Sequence, residues 1–341
     1  MTEFSLPENV ILQDHLMVQS GDALTSLNVK RWAVIADETV MSLYGASVLS
    51  SLSQAGLQGQ SFSFPAGEIN KTLDTYAALV QALSLSGFTR QDGILALGGG
   101  VCGDMAGFLA ATYLRGIALV QMPTSLLAMV DSALGGKTGV DLPQGKNLIG
   151  TFYQPRKILI DPTALTTLPG REFASGLAEI IKYGMIADPA ILVELEQESP
   201  DLTFLIGRCL SIKASLVSQD PQDLGIRRLL NFGHTYGHAY EAAGHYTLHT
   251  HGEAVAAGMA QMLRWEIAHG YPADQAYRRL LPLLTRYGLK ADLPYTPTEI
   301  KSYLTHDKKS GSDTIAIAVV ENIGSSRLVE IPLVQLWEDL L

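Results

Sequence analysis

Histidines cluster in two neighbouring segments of the second half of the chain. The segment NFGHTYGHAYEA places His234 and His238 four residues apart, so both lie on one face of a predicted helix. The segment LHTHGEAVAAGM places His249 and His251 at the start of the next predicted helix. Three such imidazoles with a carboxylate such as Glu179 are the ligand types that hold a catalytic zinc ion with one open position. The alternative for an H-x-x-x-H pair is helix capping or placement on the surface.

Glycines flank these histidines at positions 233, 237 and 252. Glycine inside a helix costs about 1 kcal/mol relative to alanine, so its use there needs a reason. Because glycine has no Cβ, it permits another group to approach the backbone closely. We therefore expect these helices to lie in close contact with something, which favours a built site over surface decoration.

A run of three glycines at 98–100 follows a predicted strand and opens a predicted helix. Together with Gly103 it matches G-x-G-x-x-G, a turn whose backbone N–H groups can bind a pyrophosphate. The turn follows the third predicted strand, however, and no acidic residue lies about 20 residues later to bind a ribose. Asp37, at the end of the first predicted strand, is a better ribose candidate. The alternative is a tight strand-to-helix turn without a ligand.

Basic residues concentrate in segments dense in glycine, asparagine and aspartate rather than on periodic helix faces. These residues are Arg115, Lys137, Lys146, Lys182, Lys213, Arg227, Arg228, Lys308 and Lys309. The densest segment, GGKTGVDLPQGKN, is predicted to be a loop that binds an anionic small molecule, since ammonium groups hold phosphate and carboxylate oxygens. A Walker A loop is excluded, because its first glycine would fall near Ser132 and no strand directly precedes it.

The first half of the chain alternates short apolar runs with segments of helical periodicity. We predict strands at 31–37, 59–64, 94–97, 117–123 and 157–161 and helices at 41–55, 72–86 and 101–114. Strands that alternate with helices pair in parallel through right-handed crossovers. The predicted fold of this half is therefore an α/β, doubly wound, Rossmann-like parallel sheet.

The second half carries helical periodicity almost throughout, which predicts a helical domain. The predicted helices are 171–187, 201–219, 224–243, 251–270, 273–288 and 296–306. Two extended segments, 314–321 and 327–332, predict one small hairpin. The change of pattern near LTTLPGRE predicts two domains, 1–168 and 169–341.

Composition limits the classes of function. The chain has 341 residues, of which 47% are hydrophobic, and a formal charge of −10, so it is globular and repels nucleic acids and anionic membranes. The longest apolar segment is interrupted by Arg115, Gln121 and Pro123, which argues against a membrane span. Two cysteines cannot form a disulfide framework, and the N-terminal segment lacks the basic and apolar regions of a signal peptide. We expect a cytoplasmic protein.

Five long segments together resemble the 3-dehydroquinate synthase family. They are GGGVCGDMAGFLAATYLRG, PTSLLAMVDSALGGKTGVDLPQGKNLIGTFYQP, TLPGREFASGLAEIIKYG, RRLLNFGHTYGHAYEA and HTHGEAVAAGM. The resemblance implies an NAD-binding α/β domain, a helical metal- and substrate-binding domain, a bound NAD, a divalent Zn²⁺ or Co²⁺ ion and a homodimer. It also implies the conversion of 3-deoxy-D-arabino-heptulosonate 7-phosphate to 3-dehydroquinate and phosphate.

The resemblance implies roles for individual residues by motif. The metal ligands would be Glu179, His234 and His251, and His249 is rejected because the family's ligand directly precedes Gly-Glu. His238 would be the acid/base beside the metal. The residues in contact with the substrate would be Arg115, Asp131, Lys137, Asn147, Lys182, Lys213, Arg227, Asn231, Lys308 and Lys309, with Arg115 reaching the phosphate across the dimer interface. The NAD contacts would be Asp37, Glu68, Lys71, Gly99, Gly100, Asp104, Thr124, Ser125, Lys146 and Thr167.

Three alternatives remain at the level of sequence. Another sugar-phosphate cyclase, such as 2-deoxy-scyllo-inosose synthase, would share cofactor and metal but take a different sugar. A metal-dependent polyol dehydrogenase of the same architecture would exchange its NAD and need no phosphate-binding residues. An inactive paralogue would bind no metal. Ser125 and Ala133 depart from the usual threonine and serine, but neither change removes a charge or a ligand.

Overall fold

The chain divides into two compact units, Met1–Leu168 and Pro169–Leu341. The computed structural model describes residues 4–304 and 314–338. Each unit is built around its own buried apolar core. The two are described separately below.

Six parallel strands form the centre of the first unit. The strands are β1 (Val10–Leu12), β2 (Arg31–Asp37), β3 (Gln58–Phe64), β4 (Gly93–Gly98), β5 (Ala118–Pro123) and β8 (Lys157–Ile160), and β6 (Lys137–Leu142) pairs antiparallel with β7 (Gly145–Phe152) in a separate hairpin. The order in the sheet is β1-β8-β5-β4-β2-β3. All five strand pairs of the sheet are parallel, which confirms the predicted fold class.

Five α-helices connect these strands. They are α1 (Ser20–Leu24), α2 (Glu38–Val40), α3 (Ala46–Gln54), α4 (Leu73–Leu85) and α5 (Gly100–Thr112), and a π-helical turn at Met41–Gly45 joins α2 to α3. Every residue of β4 and β5 is buried, as expected for central parallel strands whose two faces are both covered. The connection after β3 returns to the other side of β2, so the topological switch point lies between β2 and β4.

The described residues of the second unit are helical apart from one hairpin. Its helices are α6 (Gly170–Ile186), α7 (Pro189–Leu195), α8 (Leu202–Gln219), α9 (His234–Ala243), α10 (His251–Ala268), α11 (Asp274–Arg286), α12 (Pro297–Leu304) and α13 (Gln335–Glu338). The hairpin consists of β9 (Thr314–Asn322) and β10 (Ser325–Pro332), which pair antiparallel as predicted. Helices α6 and α10 are buried along most of their length and form the centre of this unit.

The structure differs from the sequence-based expectations in the predicted glycine-rich loop, in one helix and in several short elements. The segment predicted to be a glycine-rich loop is mostly hairpin β6–β7. The helix predicted at 224–243 is interrupted, because Gly233 adopts a left-handed φ of 79° between a 3-10 helix (Ile226–Asn231) and α9. The short elements β1 and α7 were not predicted, and β1 makes β4 the fourth strand rather than the third.

In the ranges that the structure describes, no helix combines the length and the apolarity that crossing a bilayer would require. This agrees with the interruptions noted in the sequence. Both cysteines, Cys102 and Cys209, are buried, and neither forms a disulfide.

Candidate functional site

Three donor side chains of the second unit converge on one point. One ligand atom from each of Glu179, His234 and His251 lies within 4.8 Å of the other two. The Oε1 atom of Glu179 is 3.5 Å from Nε2 of His234 and 3.2 Å from Nε2 of His251. Two imidazole nitrogens and one carboxylate oxygen are a known protein ligand set for a zinc-like ion, with a fourth position left open. The chemistry of the donors therefore fits a divalent metal.

The three donors lie on three different helices. Glu179 is in the middle of α6, and His234 and His251 are the first residues of α9 and α10. A Thr250–Glu253 capping box fixes the start of α10, since each side chain accepts a hydrogen bond from the other's backbone N–H. The helix starts thus determine where both imidazoles lie.

Glycines allow these helices to approach backbone to backbone. A Cβ on Gly252 would lie 2.1 Å from the carbonyl oxygen of Ser175 in α6, and a Cβ on Gly258 would lie 2.0 Å from the carbonyl oxygen of Gly233. A Cβ on Gly237 would lie 3.2 Å from Cα of Val255. The expectation that Gly233, Gly237 and Gly252 permit close approach is confirmed, and the approaching groups are neighbouring helices.

The second nitrogen of each ligand histidine also has a partner. Nδ1 of His234 lies 3.1 Å from the carbonyl oxygen of Phe232, and Nδ1 of His251 lies 3.4 Å from Oε2 of Glu241. Such outer partners orient the ring and direct Nε2 toward the metal. Sequence reasoning missed Glu241, although its position three residues after His238 places it on the same face of α9.

The two ligand histidines beside Glu179 differ in how readily they take up a proton. Glu179 is fully buried and forms an ion pair with Lys182, which is one turn further along α6. Burial lowers the pKa of His234 to about 3, against the attraction of Glu179. Burial also lowers the pKa of His251, but its hydrogen bonds to Glu179 and Glu241 outweigh this and raise the pKa to about 10. The carboxylates thus stabilise a cation at the position of His251.

His238 and His249 occupy different environments. The ring of His238 is exposed and its centroid lies 5.5 Å from that of His234 and 6.3 Å from that of His251. Nε2 of His249 instead lies 2.8 Å from the hydroxyl of Tyr295. His249 is therefore outside the donor cluster, and His238 is beside it.

The other expected site residues that the structure describes in the second unit lie in α6, in α8 and in the 3-10 helix before α9. Lys182 and Lys213 lie within the predicted helices, now α6 and α8, and both are buried, so neither lies on a solvated helix face. Arg227 is buried in the 3-10 helix before α9, where Nη1 donates to the carbonyl oxygen of Pro221 at 3.1 Å. Asn231 ends that 3-10 helix and is exposed. Lys308 and Lys309 are outside the described residues.

In the first unit, expected nucleotide residues lie at the carboxyl ends of the parallel strands. Asp37 ends β2 and caps α2, accepting from the N–H of Val40 at 3.0 Å. Gly99 caps α5 and Gly100 is its first residue, and both follow β4. Thr124 follows β5 and its N–H donates to Gly98 at 3.0 Å. This is the switch-point edge where open α/β sheets bind ligands.

Close packing explains the glycines of this turn. A Cβ on Gly99 would lie 3.2 Å from Oγ of Ser125, and a Cβ on Gly100 would lie 3.2 Å from Oγ of Ser132. The helix N-terminus beside them presents N–H groups without intrahelical partners, which suit a phosphate. The turn therefore fits a nucleotide pyrophosphate.

Polar side chains tie the β6–β7 hairpin to the start of α5. Nζ of Lys71 donates to Oδ2 of Asp104 at 2.7 Å and to Oδ1 of Asn147 at 2.6 Å. Nζ of Lys146 is 3.4 Å from Oε1 of Glu68. The resemblance implies that Asn147 contacts the substrate and that the other four residues contact NAD. In the structure, Lys71, Asp104 and Asn147 form one hydrogen-bonded group, and Lys146 and Glu68 form a separate ion pair.

The remaining expected residues of the first unit are spread over four places. Asp131 is in a π-helical turn (Ala128–Ser132), Lys137 is the exposed first residue of β6, and Arg115 has a left-handed φ of 68°. Oγ of Ser125 accepts from the N–H of Ala128 at 3.4 Å, and Thr167 contacts the hydroxyl of Tyr44. These contacts neither require nor preclude a ligand.

Two family matches cover most of the chain. The family described as 3-dehydroquinate synthase N-terminal matches residues 61–175, and that described as 3-dehydroquinate synthase C-terminal matches residues 176–310. A 3-dehydroquinate synthase of Streptococcus suis is 41% identical over 98% of this chain and 97% of its own length. One from Geobacter metallireducens is 44% identical over 88% of this chain and 86% of its own length.

Solved structures share the architecture. A 2-epi-5-epi-valiolone synthase from Streptomyces hygroscopicus with NAD⁺ and Zn²⁺ bound is 28% identical, with a TM-score of 0.88 over 98% of this chain and 96% of that one. A 2-deoxy-scyllo-inosose synthase with carbaglucose-6-phosphate, NAD⁺ and Co²⁺ is 26% identical, with a TM-score of 0.85 over 97% and 95%. An iron-containing alcohol dehydrogenase, 14% identical with a TM-score of 0.69 over 99% and 97%, shares the fold alone. On this sequence similarity, the chain belongs to the 3-dehydroquinate synthase family.

Proposed function

We propose that this chain is a 3-dehydroquinate synthase, which converts 3-deoxy-D-arabino-heptulosonate 7-phosphate to 3-dehydroquinate and phosphate. The observation that carries the proposal is the Glu179, His234 and His251 donor cluster in a chain 41% identical to a curated member of the family along almost its full length. The cyclases with other names are less similar, at 26% and 28% identity. Similarity in sequence thus favours the heptulosonate over other sugar phosphates.

The cofactors of the proposed reaction are NAD and one divalent ion, Zn²⁺ or Co²⁺. Glu179, His234 and His251 would hold the ion, which when bound polarises a substrate hydroxyl and stabilises the oxyanion that develops there. Glu241 and the carbonyl oxygen of Phe232 would keep the two imidazoles in the ligating orientation. NAD, held in the first unit, would supply reversible hydride transfer at that carbon.

The NAD contacts of the proposal lie in the first unit. Support comes from the switch-point edge, where Asp37, the glycines at 99–100 and Thr124 follow strand ends. The remaining proposed contacts are Glu68, Lys71, Asp104, Ser125, Lys146 and Thr167. Because the hydride returns to the same substrate, this arrangement needs a cofactor that stays bound throughout turnover.

The basic residues would hold the carboxylate and the phosphate of the substrate. Oxidation of the substrate hydroxyl to a ketone makes the neighbouring C–H acidic, and loss of that proton expels phosphate. Lysine and arginine side chains stabilise the departing phosphate and align its oxygen to take the proton. The proposed contacts with the carboxylate, hydroxyl and phosphate groups of the substrate are Asp131, Lys137, Asn147, Arg115, Lys182, Lys213, Arg227, Asn231, Lys308 and Lys309. His238, exposed beside the ligand histidines, would exchange a proton at its ring nitrogens.

A homodimer and a cytoplasmic location complete the proposal. In a homodimer, Arg115 would contact the phosphate of the partner's substrate. Its strained left-handed backbone is the kind of conformation found at functional sites. Two buried cysteines that form no disulfide fit a reducing compartment. Analytical ultracentrifugation would test the dimer directly.

A phosphate-release assay tests the activity. The purified protein is supplied with the heptulosonate phosphate or with glucose 6-phosphate, each with and without EDTA. We expect release from the heptulosonate phosphate alone, loss of release with EDTA, and recovery when Zn²⁺ or Co²⁺ is added back. Release from glucose 6-phosphate would indicate another cyclase, and net accumulation of NADH would indicate a dehydrogenase. Release undiminished after complete removal of metal would contradict the proposed ligand set.

A further inference from the structure

Asp141 occupies an irregular position in the β6–β7 hairpin. The register of the two strands shifts between Val140 and Leu142, so Asp141 is left out of the regular ladder. Its N–H instead donates to the carbonyl oxygen of Lys71 at 2.8 Å, and it forms an isolated parallel bridge with Thr72. Bulges of this kind redirect a side chain and are frequent beside functional sites.

The redirected carboxylate contacts the backbone of Asn147. Oδ1 of Asp141 accepts a hydrogen bond from the N–H of Asn147 at 2.7 Å. Asn147 has a left-handed φ of 53°, a conformation that residues other than glycine adopt uncommonly and that asparagine tolerates better than most. A hydrogen bond to an ionised acceptor is stronger than one between neutral groups, so this bond favours the left-handed conformation. Asp141 thus stabilises the unusual conformation of Asn147.

That conformation determines a second contact. It directs Oδ1 of Asn147 to Nζ of Lys71, 2.6 Å away, while Nζ also contacts Asp104. Lys71 is only 3% exposed, so its ammonium group depends on these oxygens in place of water. Burial lowers the pKa of Lys71, but the carboxylates of Asp104, Glu68 and Asp141 outweigh it and raise the pKa. Lys71 therefore stays charged and held in one place.

We propose that Asp141 is a positioning residue, which orients Asn147 through its carboxylate and Lys71 through its main chain. The proposal rests on the proposed function, because that function assigns Lys71 to the cofactor and Asn147 to the substrate. That function assigns Asp141 to neither ligand. Asp141 acts on Asn147 through its carboxylate and on Lys71 through its main-chain N–H. Loss of the carboxylate therefore weakens the positioning of Asn147, and through the Asn147 side chain that of Lys71, without removing a binding group.

The test combines Asp141→Ala with Asn147→Gly, since glycine accepts a left-handed φ without strain and lacks the side chain that reaches Lys71. The first measurement is hydrogen exchange of peptides that span Asn147, made without cofactor. We expect Asp141→Ala to speed exchange of the Asn147 amide at least tenfold. The second is the Kd for NAD, measured by calorimetry. We expect about a tenfold increase, equivalent to the loss of about 1.4 kcal/mol.

The double variant separates positioning from general stabilisation. If Asp141 acts through Asn147, adding Asp141→Ala to Asn147→Gly changes the NAD Kd less than twofold. The single variant Asp141→Asn keeps an acceptor oxygen, so we expect it to retain most of the wild-type affinity for NAD. Asp92→Ala is the matched control, because Oδ2 of Asp92 accepts from the N–H of Thr89 at 2.6 Å in a distant turn. We expect this control to lower the melting temperature without changing the NAD Kd.

Three results would overturn the proposal. They are unchanged exchange of the Asn147 amide in Asp141→Ala, additive effects of the two substitutions on NAD affinity, and a lowered melting temperature with normal NAD affinity. A wild-type protein that binds NAD but releases no phosphate would instead refute the proposed function. In that case the exchange rates and the NAD affinities still decide the role of Asp141.

Discussion

Substitution of Gly252 by alanine tests whether helix packing sets the geometry of the donor cluster. The added Cβ would lie 2.1 Å from the carbonyl oxygen of Ser175 and 2.4 Å from its Cα. A close carbon–oxygen contact needs about 3.3 Å, so α6 and α10 must separate by roughly 1 Å. Because His251 directly precedes Gly252 and Glu179 is one turn after Ser175, this movement widens their 3.2 Å separation.

The expected consequence is larger for metal binding than for folding. Metal–ligand distances tolerate about 0.2 Å of error, so we expect the metal Kd to rise at least ~10-fold. A misplacement of about 1 Å reduces catalysis about 100-fold, which is our expectation for kcat/KM. Overpacking costs about 1–3 kcal/mol of unfolding free energy, and the helix propensity of alanine returns about 1 kcal/mol. The protein should therefore still fold.

The assays are metal content after dialysis, metal affinity by competition with a chromogenic chelator, and urea unfolding. Gly170→Ala is the matched control, because it makes the same change in α6 at a position with no atom within 4 Å of the added Cβ. We expect the control to behave like the wild type in all three assays. A Gly252→Ala protein with wild-type metal affinity would refute the argument that close packing of α6 and α10 sets the ligand positions.

Three further predictions concern two buried carboxyl groups and one exposed lysine. Burial raises the pKa of Glu266 from its ordinary value of 4.5 to about 8, although the N–H of Val320 opposes this. The native carboxyl thus keeps its proton where the unfolded one ionises, so stability falls as pH rises from 4.5 to about 8, by up to about 1.4 kcal/mol per pH unit. Urea unfolding of Glu266→Gln should lose this slope, and equal slopes in both proteins would contradict it. Asp161→Ala removes a buried carboxylate that accepts hydrogen bonds from the N–H groups of His15 and Met17 at 2.9 Å each. We expect this change to lower the unfolding free energy by about 3 kcal/mol. A loss below ~1 kcal/mol in urea unfolding would argue against this role of Asp161. Lys137→Ala should abolish phosphate release while NAD binding by calorimetry is unchanged, and near-normal turnover would refute its assigned role.

The pattern of apolar residues was sufficient to predict the order of the main elements. A strand such as β4, covered on both faces, is a continuous apolar run, and an amphipathic helix such as α11 repeats with the helical period. The metal-ligand candidates were also visible in sequence, because ligand chemistry restricts residue type and His234 and His251 begin helices. Boundaries that depend on one residue, such as the break at Gly233, were missed.

The sequence by itself determined the fold class, the family and the residue types capable of binding a metal, because these follow from local periodicity and from motifs read in order along the chain. Only the tertiary structure decided which groups meet. The contact of Asp141 with Asn147 depends on a shift in strand register, and that of Glu241 with His251 depends on how α9 packs against α10. The close approach of Gly252 to Ser175 joins residues 77 positions apart. Such distances arise from the packing of whole elements, which no local pattern of side chains encodes.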